Sequence, residues 1–292
     1  MMDQMPNDLL KQWLARQLQG PAYEWFMGQQ ETLVADPSVR NLYITLGMIP
    51  RRLGKGDLQL SIEDLKRADT IRPGWDPQYW SVDVAARVAT LLTTFDGEDD
   101  FAAAFVDVCR GADVGERVAY YSGLPLYAEP HTLKDQVAEG LRTNMRSEFE
   151  AIAHRNPFPF EQLDEHRWNH MVLKALFVDS KLYPIQGLDV RANRELAQIL
   201  CDYAHERWAA GRSVTPELWR CVGPYAADAA LEDLERVLGE GELMSRQAAA
   251  LALNGCPAPG AQDLLDTVPE LRSMMASGAL SWTSFKDGAR IQ

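Results

Sequence analysis

The sequence predicts an all-α protein of stacked antiparallel helices, α-solenoid-like, with a HEAT-like C-terminal part. Three observations carry this expectation. Apolar residues recur at spacings of three and four in nearly every periodic segment, and cap residues, Gly and Pro punctuate those segments. After Pro224, the run SRQAAALALNG has the arginine, small-residue and leucine pattern of a repeat helix that stacks on its neighbours. The periodicity predicts about 11 to 14 helices, with any strand confined to a minor hairpin.

Asn7 or Asp8 caps a first helix with Leu10, Trp13 and Leu14 on one face, and Gly20-Pro21 ends it. Tyr23, Trp25, Phe26 and Leu33 make the second helix bulky; Asp36-Pro37 opens a third, which Pro50 closes. The glycines of RRLGKGDLQLS lack the Walker spacing and its Lys-Ser/Thr ending, so this is not a phosphate loop. Ser61 and Asp64 form a capping pair for the next helix. RPGWDPQYWS then places Trp75, Tyr79 and Trp80 with two prolines in one irregular segment, where large side chains either pack onto helices or line a pocket. Ser81 caps a helix whose Ala85, Ala86 and Ala89 allow close approach by its neighbours.

Asp96, Glu98, Asp99 and Asp100 invite comparison with a magnesium-binding aspartate motif of terpenoid synthases, but the spacing is wrong and a helix start explains them. Asp113 and Glu116 open the following helix in the same way. A long helix is expected over 132–154, striped by Val137, Leu141, Met145 and Phe149. Arg142 and Asn144 flank the stripe as a buried network, ligand contacts or a solvated pair. Asp164 caps a helix that is polar only at Lys174 from Met171 to Val178, so it should be surrounded by other helices.

Tyr183, Pro184, Gln186 and Gly187 follow in a turn-rich loop, either a ligand wall or a packed corner. Asn193 caps and Gly211 ends the next helix. Asp202, His205 and Glu206 share its outer face, and Arg207 sits at the edge of its buried stripe. Thr215-Pro216 starts a short helix bearing Arg220, which Gly223-Pro224 stop. Leu231, Leu234 and Leu238 mark the next helix, 262–275 holds another, and Trp282 and Phe285 would pin the tail.

The runs WNHMVLKALF, LYPIQGLDVRAN, DYAHERWAAGR and PELWRCVGP resemble the signature block of the EboA family, bacterial proteins described as metabolite-traffic proteins. Upstream, GKGDLQL, RPGWDPQYWSVDVAAR and LRTNMRSEFEAIAHRNP are similar to the same family, so the resemblance covers roughly the whole chain. It implies a role in handling a secondary metabolite beside other operon products, and it supplies no catalytic residue set.

One domain over 1–292 is expected, with a sub-boundary near 125 and the HEAT-like segment at 225–277. The net charge of -13 repels phosphate backbones, which excludes nucleic acid as a partner. Cys109, Cys201, Cys221 and Cys256 form no CxxC pair, which disfavours a zinc knuckle or a disulfide framework and fits a reducing cytoplasm. The segment MMDQMPNDLLKQW lacks signal-peptide character, and no run reaches the roughly 18 apolar residues of a membrane span. His166 and His170 lie four apart without an evident third ligand, so no metal is expected; no cofactor or catalytic motif is visible either.

Three readings follow: a noncatalytic scaffold or carrier binding a small metabolite or operon-encoded proteins, with peripheral contact to a membrane protein among the partners; an all-α enzyme acting on a terpenoid or other secondary-metabolite precursor; and a structural interaction module. The ligand candidates are Trp75, Tyr79 and Trp80, then Arg142 and Asn144, then Tyr183, Gln186, Arg207 and Arg220, with the 75–80 loop and the 168–225 block expected to meet. Asp76, Asp189 and Asp202 are the carboxylates that would pair a buried arginine there.

Overall fold

The computed structural model describes residues 5–95, 101–227 and 229–283, and among them every regular element is helical. Extended backbone pairs at an isolated antiparallel bridge between Asp57 and Ser81. The chain gathers into two compact units, Met1–Arg167 and Trp168–Gln292. No helix among the described residues is long and apolar enough to cross a membrane.

The first unit contains α1 (Pro6–Gln17), α2 (Gly20–Ala35), α3 (Val39–Leu53), α4 (Ile62–Ile71), α5 (Val82–Thr94), α6 (Phe101–Gly111), α7 (Val114–Ser122), α8 (Lys134–Gly140), α9 (Arg146–Ala153) and α10 (Phe158–Gln162). Helix α11 (Glu165–Phe177) begins at its end. The centre is α5, buried at every residue from Val82 to Leu91, with α1, α2, α3 and α7 packed around it. Ala85, Ala86 and Ala89 let those neighbours approach closely. Full enclosure also buries Asp83 and Arg87, which pair at 2.8 Å, with Glu116 3.8 Å from the same guanidinium.

Several helix ends differ from the sequence expectation. Met5 occupies the cap of α1 and Pro6 its first position, while Asn7 donates to Thr93 Oγ1 at 3.0 Å instead of capping. Helix α3 runs through Pro50 to Leu53, because the proline φ is itself helical and sacrifices one backbone bond near the helix end. The capping boxes Ser61/Asp64 and Asp113/Glu116 form as expected. The acidic run at Asp96, Glu98, Asp99 and Asp100 lies outside the described residues.

The long helix expected over 132–154 is broken into a 3-10 turn, Pro130–Leu133, followed by α8 and α9. At Gly140, an added Cβ would lie 2.6 Å from Tyr121 Cζ, so the glycine lets the chain pass over that ring as it leaves α8. Thr143 Oγ1 then accepts from the Met145 amide at 3.0 Å and starts α9 in a new direction. Met145, expected on the apolar stripe, is exposed for this reason.

The second unit contains the rest of α11 and then α12 (Arg194–Ala209), α13 (Trp219–Val222), α14 (Ala229–Glu240), α15 (Leu243–Asn254), α16 (Gly260–Asp266) and α17 (Pro269–Ala276). Its hub is α15, buried from Ala248 to Leu253 and packed by α13, α14, α16 and α17. A Cβ on Gly223 would lie 2.5 Å from Ala252 O, so backbone meets backbone there. The expected helix over 262–275 is split by Pro269 into α16 and α17. With the break after Gly140, this raises the α-helices among the described residues to 17, above the expected range. Helix α11 is not surrounded: Phe177 is 62% exposed. Asn193 caps α12 through the Leu196 amide, and Gly211, at φ +65°, ends it as expected. Phe285 lies outside the described residues.

Candidate functional site

The 75–80 loop belongs to the first unit and the 168–225 block to the second. In the loop, Trp75 is buried between Trp13, at 5.4 Å between ring centroids, and Trp80, at 5.9 Å. Trp13 Nε1 donates to the buried Asp64 at 2.9 Å, whereas the Trp75 indole N–H has no partner. Tyr79 turns outward, 60% exposed, beneath the Arg155 guanidinium 4.5 Å from its ring centroid. The structure thus brings Trp75 and Trp80 together as packing and separates Tyr79 from them.

Arg142 and Asn144 do not form a buried network. Both are exposed, and Arg142 pairs with Glu139 on the preceding turn at 3.0 Å. The break in the expected long helix turns them towards solvent. Arg142 nevertheless lines the mouth of a cleft of about 490 Å³, to which α6, α7, α8 and α9 contribute.

The cleft floor is polar and fixed. Arg117 Nε lies 3.0 Å from Glu148 Oε1, and Thr143 Oγ1 donates to the other Glu148 oxygen at 3.4 Å, so both oxygens of this buried carboxylate are engaged. Gln136 Nε2 donates to Tyr121 Oη at 3.0 Å, and Tyr121 is in turn hydrogen-bonded to Cys109. Burial pushes the Cys109 thiol up to about 12 and the Tyr121 hydroxyl above its ordinary range. The arrangement presents fixed donors and acceptors without a thiolate poised for attack. Sequence reasoning missed Glu148, although its place one turn before the buried Ile152 put it on the inner face of α9.

In the second unit, Tyr183 and Gln186 sit half-buried after α11, where the Leu182 amide donates to the buried Glu217 at 2.6 Å. Arg220 donates from Nε and Nη2 to the two oxygens of Asp189, both at 2.6 Å. Asp189 is therefore its partner among the three expected carboxylates. Arg207 is half-buried; its Nε donates to Ser213 O at 3.0 Å, and it lines a small pocket of about 280 Å³ with Phe177 and Tyr203.

His205, expected on a solvated face, lies 2.9 and 2.8 Å from the two oxygens of Asp233, because α14 brings that carboxylate against α12. Among the described residues no three His, Cys, Asp or Glu side chains are grouped to hold a metal. All four cysteines are free and buried, and burial pushes Cys201 and Cys221 up to about 12 as well.

No curated protein and no solved structure matches the chain. The family profile described as metabolite traffic protein EboA matches residues 6–223, which span the first unit, including the arginine-lined cleft, and the second unit as far as Gly223. On that match, the chain belongs to the EboA family.

Proposed function

We propose that the chain is a noncatalytic helical carrier in secondary-metabolite traffic, which takes a small polar metabolite into the cleft between α6, α7, α8 and α9 and passes it to operon-encoded partners in the cytoplasm. The observation that carries this reading is the Arg117–Glu148 pair at 3.0 Å on the cleft floor, whose members come from α7 and α9 and are held by Ala112 O and Thr143 Oγ1 from the adjoining loops. A buried ion pair is weak evidence of added stability, but it fixes polar groups in place before a ligand arrives. Arg142 stands at the mouth, solvated enough to change partner from Glu139 to a ligand without a large desolvation penalty.

An enzyme reading would need a reactive group in the cleft, and its one thiol is held protonated by burial. The free buried thiols also fit a reducing compartment. Hydrogen exchange on the full chain tests the site: adding the small-molecule fraction of producing cells should protect the amides of 140–150. Protection elsewhere with no change over 140–150 would remove the cleft from the account.

A further inference from the structure

The end of α12 is closed by paired backbone bonds from Gly211 N to Trp208 O and from Arg212 N to Arg207 O, both 2.9 Å, around Gly211 at φ +65°. This is a Schellman motif, and it places the side chains of its third-last helical residue and of the second residue beyond the cap near one another. Those two positions commonly make an apolar contact. Here they are Arg207 and Arg212, and both line the 280 Å³ pocket whose wall includes Leu176, Phe177 and Tyr203.

Two guanidinium groups that line one small pocket repel, and an anion between them relieves the repulsion. Neither has an ion-pair partner among the described residues, although acidic side chains outnumber Lys and Arg 42 to 29 in the sequence. Glu206 also lines the pocket but makes no ion pair with either arginine. Arg207 spends Nε on Ser213 O, which orients the guanidinium and leaves both terminal nitrogens for a two-pronged contact. A single cation in the last turn would complement the helix dipole, whose terminus carries about half a negative charge; that does not account for a second cation beyond the cap.

The lining also has an aromatic part, Phe177 from the end of α11 and Tyr203 one turn before Arg207 on α12. Phe177 and Tyr203 meet edge to face, 5.2 Å between centroids at 69°, and Phe177 remains 62% exposed. We propose that this pocket binds an aromatic carboxylate of about one ring, its carboxyl group held between Arg207 and Arg212 and its ring against Phe177 and Tyr203. At 280 Å³ the pocket is smaller than a typical drug-sized site, which favours one substituted ring over an extended chain. The site is separate from the cleft of the first unit and does not depend on the carrier reading.

Calorimetry on the full chain with phenylacetate tests it, alongside phenylacetamide, which keeps the ring without the charge, and acetate, which keeps the charge without the ring. Phenylacetate should bind, and both controls should bind at least about tenfold more weakly, the discrimination expected from losing a hydrogen bond to a charged group or the ring contact. Arg212→Gln and Phe177→Ala, both at exposed side chains, should each weaken phenylacetate by a similar factor while circular dichroism stays unchanged. Failure of the folded wild-type chain to bind millimolar phenylacetate would overturn the proposal. So would wild-type affinity in Arg212→Gln and Arg207→Gln.

Discussion

Arg155 Nη1 donates to Asp76 Oδ2 at 2.8 Å while its guanidinium covers the Tyr79 ring at 4.5 Å. Arg72, just before the 75–80 loop, returns the exchange by pairing with Glu161 beyond Arg155. Two arginine–carboxylate pairs running in opposite directions therefore join the aromatic loop to 155–161.

Arg155 holds this grip from a left-handed backbone, φ +52°, which a non-glycine residue adopts at a cost of roughly 1–2 kcal/mol. Arg155→Ala loses the ion pair and the ring contact but keeps the strain; Arg155→Gly loses the same contacts and relieves it. Urea denaturation should find the glycine variant more stable than the alanine variant by about 1 kcal/mol.

Burial alone would raise the Asp64 carboxyl, but hydrogen bonds from Arg16 and Ser61 outweigh it and hold the group well below the usual carboxylate range. A depressed folded-state pKa contributes stability that is present above the unfolded value and lost as pH falls through the folded one. Asp64→Asn should cost about 2 kcal/mol between about pH 5 and 7. The difference from wild type should shrink steadily as the pH drops below about 4. A difference independent of pH in denaturation curves would contradict this.

Removing Arg87 would leave the buried Asp83 without a counter-charge, with only the Ser81 hydroxyl among the described residues to bond it, and would take the guanidinium from beside the half-buried Glu116. Arg87→Met should destabilise the chain by about 3–5 kcal/mol, and adding Asp83→Leu should recover part of the loss. Chemical denaturation of the single and double variants measures both.

Two glycine substitutions should have opposite signs. Gly47, within α3, has nothing within 4 Å of an added Cβ, so Gly47→Ala should stabilise by about 0.5–1 kcal/mol through helix propensity. Gly140→Ala would press on Tyr121 and Ile152 and should destabilise by about 1–3 kcal/mol. Melting temperatures of the two variants decide it.

The all-α class was legible because helix periodicity and caps are local properties. Ser61/Asp64, Asp113/Glu116 and Asn193 each act within one turn of their own helix. The break after Gly140 was not legible, because Val137, Leu141 and Phe149 keep helical spacing across it and its cause, the Tyr121 ring, comes from another helix. The hubs α5 and α15 were also understated: their alanines give weak apolar signals but permit the closest packing. At the candidate site, Arg142 and Arg207 were visible as odd polar residues beside apolar stripes. The roles of Glu148 and Asp233 depend on partners that local patterning does not specify, whereas the placing of Arg212 beside Arg207 follows from the cap at Gly211, a local signal.

The central claim is that the first-unit cleft holds a metabolite without transforming it. Native mass spectrometry of the full chain, purified without denaturation from producing cells, should show a retained small molecule that is released with unchanged mass after prolonged incubation. Val106→Trp, which projects bulk into the cleft from a partly exposed position, should yield a folded protein without that molecule. A wild-type chain that carries nothing, a Val106→Trp variant that retains the molecule equally, or a released molecule altered in mass would contradict the account.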